Sequence, residues 1–194
     1  MSLSPPRVVA LDLALTVRAS SGDATAFRQI YDRHAPTVFR FLVNLLGDRA
    51  AADEATQETF VRAHTRLRFM REGDKLLPWL LGIARNVCME TRRRNRRTEP
   101  VEPDDIDELD GHVGTAPNPE SLLLSREADE ILARALQRVP EERRAALLLQ
   151  MDHGLAYAEI AEILDWSLAK VKVEIHRARL RLRTELAKYI GETT

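Results

Sequence analysis

Residues 98–120, TEPVEPDDIDELDGHVGTAPNPE, constrain the organisation of everything around them. The stretch holds four prolines, two glycines and eight Asp/Glu with no Lys/Arg. With so few large apolar residues it cannot bury enough surface to offset the entropy of ordering itself. The sequence therefore predicts two folded units, residues 8–97 and 121–190, joined by an acidic flexible linker at 98–120. Its 23 residues would reach roughly 75 Å if extended at about 3.3 Å each. That is enough to hold the two units apart on distant surfaces of a large partner.

Both flanking segments read as helix. Aromatic residues are 5% of the chain and charged residues 30%, and Leu, Ala and Arg dominate, which favours an all-α protein over a sandwich or barrel. In the first segment a helix is predicted from residue 12 to about 20, and Ser21-Gly22-Asp23 reads as a stop followed by a new N-cap. Phe27, Ile30, Tyr31, Val38, Phe41, Leu42 and Leu45 then keep helical spacing up to Gly47-Asp48, with Pro36 expected to kink or interrupt the run. A third helix, 51 to about 67, puts Thr56, Phe60, Ala63 and Leu67 on one stripe and leaves Asp53, Glu54, Gln57, Glu58 and Arg62 elsewhere. A fourth has Pro78 in its first turn and buries Leu80, Ile83, Ala84 and Val87. Between these two lies a polar loop, 68–77.

In the second segment Asn118-Pro119 is expected to cap a helix with an apolar stripe of Ala128, Ile131, Leu132, Ala135, Leu136 and Val139. Pro140 opens another helix, 141–151, closed by Gly154. Two more follow, 157–164 and 168 to about 188, separated by Asp165-Trp166-Ser167. This is helix-turn-helix spacing. Leu168, Val171, Ile175, Ala178 and Leu182 share one face of the last helix, expected to bear on Ile160, Ala161 and Leu164. Ser167 is its natural N-cap and Asp165 suits a left-handed turn position.

The net charge of −1 hides a segregation. Residues 1–97 carry 17 Lys/Arg against 10 Asp/Glu, and 121–194 carry 12 of each. The stretch 166–188 holds seven basic residues against Glu174 and Glu185. Ala169, Val173, His176 and Arg177 form the outward face of the last helix, and Lys170, Lys172, Arg179 and Arg183 lie on its flanks. There a helix inserted in the major groove meets phosphates on either side. Glu174 is expected to pair with Lys170 one turn earlier. A second basic cluster, residues 92–97, has five arginines in six positions. With Arg85 it extends one face of the fourth helix. Cations at a helix C-terminus gain about 0.3–1 kcal/mol each from the dipole, which does not call for five, so the cluster reads as a phosphate track.

Other chemistry is not signalled. Cys88 has no Cys or His neighbour at metal spacing and reads as a buried, quiet thiol. The five histidines show no paired ligand spacing, and no phosphate loop or nucleophile motif is present. No enzyme activity, metal or cofactor is expected, and Trp79 and Trp166 read as core. The apolar runs are too short to span a membrane and no cleavable signal is present, so a soluble cytoplasmic protein is expected.

The residues resemble a known family, the extracytoplasmic-function (ECF) sigma factors, which are sigma-70 relatives that keep only regions two and four. Gly22-Asp23, Ala26-Phe27 and Tyr31-Asp32-Arg33-His34 resemble its opening region. Residues 53–60, DEATQETF, resemble its polymerase-binding helix. The likeness implies that Asp53, Glu54, Gln57, Glu58 and Arg62 meet the clamp helices of the largest core subunit. Trp79-Leu80, Ile83-Ala84-Arg85-Asn86 and the arginine run resemble the part that recognises and melts the minus-ten element. Contacts to that DNA are thereby implied for Arg68, Arg71, Lys75, Arg85, Asn86, Arg92, Arg93 and Arg96, with the 68–77 loop holding a flipped base.

Leu136, Val139-Pro140, Tyr157, Glu159-Ile160-Ala161, Val171-Lys172 and His176-Arg177-Ala178-Arg179 resemble region four. By that likeness Ser167, Ala169, Lys170, Lys172, Val173, His176, Arg177, Arg179 and Arg183 face the minus-thirty-five element. The implied partners are core RNA polymerase, at its clamp helices and flap, promoter DNA, and an anti-sigma factor. The chain departs from the family at Ala156, where Ser or Thr is usual, at Asp165, where Gly is usual, and at Ala169-Lys170 and Val173-Glu174. A stand-alone helix-turn-helix regulator is the alternative within DNA binding.

Overall fold

Helix boundaries follow from local capping. Asp23 has extended backbone and its carboxylate accepts from the Ala26 amide at 3.0 Å. It thereby starts α2, Ala24–Leu46, directly after α1, Pro6–Ser20. α2 ends at Gly47, whose φ of 76° is the left-handed conformation that favours glycine. One residue on, Asp48 accepts from Ala51 N at 2.9 Å and opens α3, Arg49–Arg66. A 3-10 turn, Leu67–Phe69, follows, then α4, Leu76–Thr98. The second half contains α5 (Pro119–Gln137), α6 (Glu141–Met151), α7 (Tyr157–Leu164) and α8 (Leu168–Gly191). The computed structural model describes residues 6–70, 75–98 and 119–191, with side chains over 10–70, 75–94 and 128–189. Residues 99–118 of the expected linker and 71–74 of the loop, including Arg71, lie outside the described residues. Arg96 lies on the α4 backbone, but its side chain is outside them.

Pro36 does not interrupt α2, which runs unbroken through it. Both ends are well capped and Ile30, Val38, Phe41, Leu42 and Leu45 are fully or almost fully buried along it, so packing outweighs the one backbone bond that proline removes. α3 presents Ala52, Ala55, Thr56, Thr59 and Ala63 inward. The buried hydroxyls of Thr56 and Thr59 are satisfied by the carbonyls of Ala52 and Ala55 at 2.7 and 2.6 Å, so this small-residue face packs without orphaned polar atoms. Asp12 of α1 is buried against α2, within 3.2 Å of the His34 ring and 3.4 Å of Arg33.

In the second half α6, α7 and α8 close around Leu147, Leu149, Ile160, Leu164, Val171, Ile175 and Ala178. Only the end of the expected stripe that begins on α5 is buried, at Ala135, Leu136 and Val139. Leu132 is 40% exposed, and Leu168, expected on the inner face of α8, is 45% exposed at the first position of that helix. Trp79 and Trp166 are half-buried at the edge of the core, and Cys88 is buried.

The halves do not stand apart. Their buried residues form one continuous cluster, with α2 against α5 and α6 and α4 against α7. The Phe41 and His153 rings meet edge-to-face at 5.6 Å, and Gly82 of α4 faces Ile163 of α7. Polar bonds reinforce the contact: Lys75–Glu159 at 2.7 Å, Asn44–Asp152 at 3.3 Å and Arg92–Glu141 at 3.1 Å. None of these pairs has a local sequence signature.

Candidate functional site

Three charged surfaces carry the candidate residues. On α3, Asp53, Glu54, Gln57 and Glu58 are all exposed, because the inward positions of that helix are taken by its small residues. Gln57 donates to Asp53 at 3.1 Å. Arg62 is committed inside the fold: it donates to Glu58 at 2.6 Å and forks onto both oxygens of Glu90 in α4 at 2.9 and 2.7 Å. The two carboxylates push its already high pKa further up, and the guanidinium holds Glu90 below the usual carboxylate range. Arg62 therefore braces α3 against α4 and sets the angle at which the acidic strip is presented.

The second surface is the shallow groove between α3 and α4, where Arg66, Arg85, Asn86 and Arg93 gather beside Glu90. Arg85 donates to Asn86 at 3.3 Å. Arg66 was not among the sequence candidates; its signal was the Arg62-Arg66 spacing of four, which places both on the face toward α4. Arg68 is exposed at the end of the 3-10 turn, 4.7 Å from the exposed Phe69 ring. The structure separates two residues from this group. Arg92 turns inward to Glu141 and the Leu45 carbonyl, and Lys75 is tied to Glu159.

The third surface is the helix-turn-helix. Asp165 adopts φ 54° and ψ 49°, the left-handed position expected of it, and the Trp166 amide returns to the Ala161 carbonyl at 2.9 Å. Ser167 Oγ accepts from Lys170 N at 3.2 Å, the expected cap of α8. Ala169, Val173, His176 and Arg177 are exposed along one face, flanked by exposed Lys170, Lys172, Arg179 and Arg183. Lys170 Nζ lies 4.1 Å over the Trp166 ring and Arg179 reaches Gln150 at 2.6 Å. The expected Glu174–Lys170 pair is not formed. Glu174 is held instead by Arg143 of α6 at 2.5 Å and by Arg177 at 2.9 Å, which keep its pKa low. The α6 arginine wins because it fixes a carboxylate whose side chain is only 13% exposed.

The start of α7 is half capped. Ala156 has the extended conformation of an N-cap and its amide donates to Glu159 Oε2 at 2.8 Å, but alanine has no oxygen to return to the helix amides. Ala156→Ser will supply it and stabilise the protein by about 1 kcal/mol, seen as a raised urea midpoint. An unchanged midpoint would show that the amide of Glu159 is already well solvated. The other Glu159 oxygen meets Lys75; burial raises this carboxyl's pKa, but Lys75 and the Ala156 amide outweigh it and the net shift is downward.

Among the described residues no cluster of His, Cys, Asp or Glu could hold a metal, and no helix is long and apolar enough to cross a membrane.

Comparison with known proteins matches sigma-70 region 2 to residues 30–98 and sigma-70 region 4 to residues 129–182. The ECF RNA polymerase sigma factor SigE of Mycolicibacterium smegmatis is 34% identical over 178 residues, covering 90% of this chain and 68% of that protein. The ECF sigma-E factor of Escherichia coli is 31% identical, covering 87% of this chain and 90% of its own length. Among solved structures, the sigma factor RpoE of Bartonella quintana in complex with the anti-sigma factor NepR superposes with a TM-score of 0.68 at 23% identity, over 83% of this chain and 96% of that one. CnrH in complex with the cytosolic domain of CnrY gives 0.67 at 24% identity, over 92% and 98%.

Proposed function

The chain belongs to the ECF sigma factors, and from that premise we propose how it divides the work of directing RNA polymerase to promoters. The first unit, residues 8–97, holds core polymerase through the exposed strip Asp53, Glu54, Gln57 and Glu58, with Arg62 fixing the strip's orientation. The basic groove of Arg66, Arg85, Asn86 and Arg93, together with Arg68, Arg71, Lys75, Arg92 and Arg96, takes the minus-ten strand. The second unit, residues 121–190, reads the minus-thirty-five duplex with Ala169, Val173, His176 and Arg177. Ser167 and the flanking Lys170, Lys172, Arg179 and Arg183 meet its phosphates. Residues 98–120 join the two, their negative charge lying along the path where transcript phosphate later runs. An anti-sigma factor is the expected inhibitor, the cytoplasm is the compartment in which such work is done, and no catalysis or cofactor is assigned to the chain.

The observation that carries this reading is the segregation of charge: an exposed acidic strip on α3 beside a basic groove on the same helix pair, and a second basic surface on α8. The test is run-off transcription from a mapped promoter. Transcripts are expected only with chain and core polymerase together. Reversing Asp53, Glu54 and Glu58 to lysine should weaken association with core at least roughly a hundredfold, since like charges then face each other across the contact. Duplex recognition without any association with core would instead mark a stand-alone regulator.

A further inference from the structure

We propose that Glu174 is a positioning residue for promoter readout: seated against Arg143 of α6, it aims Arg177 at a guanine in the upstream duplex. The inference deepens the reading above and rests on it, since it takes the outward face of α8 to lie in that duplex.

Of the side chains on that face, Ala169, Val173, His176 and Arg177, only Arg177 carries paired donors that can fork onto guanine O6 and N7. Its side chain is 55% exposed. An exposed arginine samples many rotamers, and that freedom is lost when it docks. Here one nitrogen is already held. Arg177 Nη1 donates to Glu174 Oε1 at 2.9 Å, from three residues further along the helix. The opposite edge of the guanidinium, Nε with Nη2, makes no hydrogen bond among the described residues. That edge is the fork left for a base.

Glu174 does not itself present an acceptor to the groove. It stands beside the buried Val171, Ile175 and Ala178 of α8, and its side chain is only 13% exposed. Its second oxygen, Oε2, accepts from Arg143 Nε at 2.5 Å. Both oxygens are therefore engaged, one inward to α6 and one outward to Arg177. Arg143 is a firm seat: it lies in the first turn of α6, directly before the buried run Arg144, Ala145, Ala146 and Leu147. Charge-assisted bonds of this kind fix direction as well as distance. The carboxylate thus carries the position of one helix to the tip of a side chain on another, and the guanidinium is ordered before it meets DNA.

The test uses the full-length chain assembled with core polymerase on a mapped promoter, each upstream base pair being replaced in turn. The readout is the ratio of affinities for the original and the replaced promoter in competition, so any change in core loading cancels. The unaltered chain is expected to prefer guanine at one pair by roughly ten- to a hundredfold. Arg177→Lys, which keeps the charge and loses the fork, should abolish that preference. Glu174→Gln and Arg143→Met should each cut it at least about fivefold at the same pair and leave the other pairs within about twofold. Arg143→Lys, which keeps a cation against Glu174, should retain most of it. Glu174→Gln removes a negative charge near the duplex and Arg143→Met a positive one, so electrostatics alone predicts opposite shifts spread over every promoter. Loss of the bond between α6 and α8 as a mere staple would lower all affinities alike and leave the ratios unchanged. A guanine preference that survives Arg177→Lys, Glu174→Gln or Arg143→Met sinks the inference alone. So does a cytosine preference removed by Glu174→Gln and kept in Arg177→Lys, which would put Glu174 itself on the base. An assembled polymerase indifferent to every upstream pair takes the reading of α8 down as well.

Discussion

Replacing Phe41 with alanine will cost the protein about 3–5 kcal/mol of stability, the range for deleting a buried aromatic ring from a core that only partly collapses. The ring is 0% exposed in the middle of α2 and meets His153 of the second half. Its loss therefore opens a cavity where both halves converge rather than inside one of them. Urea unfolding followed by circular dichroism measures the change, and Phe69→Ala is the control. Phe69 is 69% exposed, so its truncation should shift stability by no more than about 0.5 kcal/mol. A Phe41→Ala protein that unfolds with an unchanged midpoint would mean that the halves do not share a core.

Binding of duplex DNA by α8 will be lost steeply with salt. Four exposed flanking cations, Lys170, Lys172, Arg179 and Arg183, imply a slope of log affinity against log salt near about −3.6 if each neutralises one phosphate at about 0.9 counterions released. Between 50 and 200 mM salt, affinity should therefore fall roughly a hundredfold. Lys172→Gln with Arg183→Gln should shallow the slope by about 2 without changing which sequence is preferred. Val173→Ala and His176→Ala should do the reverse, altering preference and leaving the slope intact. A flat salt response would remove the flanks from the interface.

What could be read from residues alone was whatever is decided locally. The Asp23 and Ser167 caps, the end of α2 at Gly47-Asp48, the left-handed Asp165 and the buried stripes of α3 and α4 all depend on neighbours within a few residues, and all are found where expected. Pro36 was misjudged because the cost of one missing backbone bond is local, while the burial that outweighs it is not. Glu174 was misassigned for the same reason: Lys170 lies one turn away, but Arg143 arrives from another helix. The exposed acidic strip and α8 face were legible because amphipathic periodicity alone separates inside from outside. The closing of one half onto the other left no trace in the sequence, since Arg144 reaches the Leu45 carbonyl across 99 positions, and nothing in an arginine states which acceptor it will find.

That acceptor is a main-chain atom, which shapes how the protein can vary. No change of side chain at position 45 removes its oxygen, so variation in this contact has to arise at 92, 137, 141 or 144, among the groups that reach toward it or hold those that do. Position 92 is also one that we propose to meet DNA, leaving 137, 141 and 144 as the places where the contact between the halves can be loosened or tightened without touching that surface.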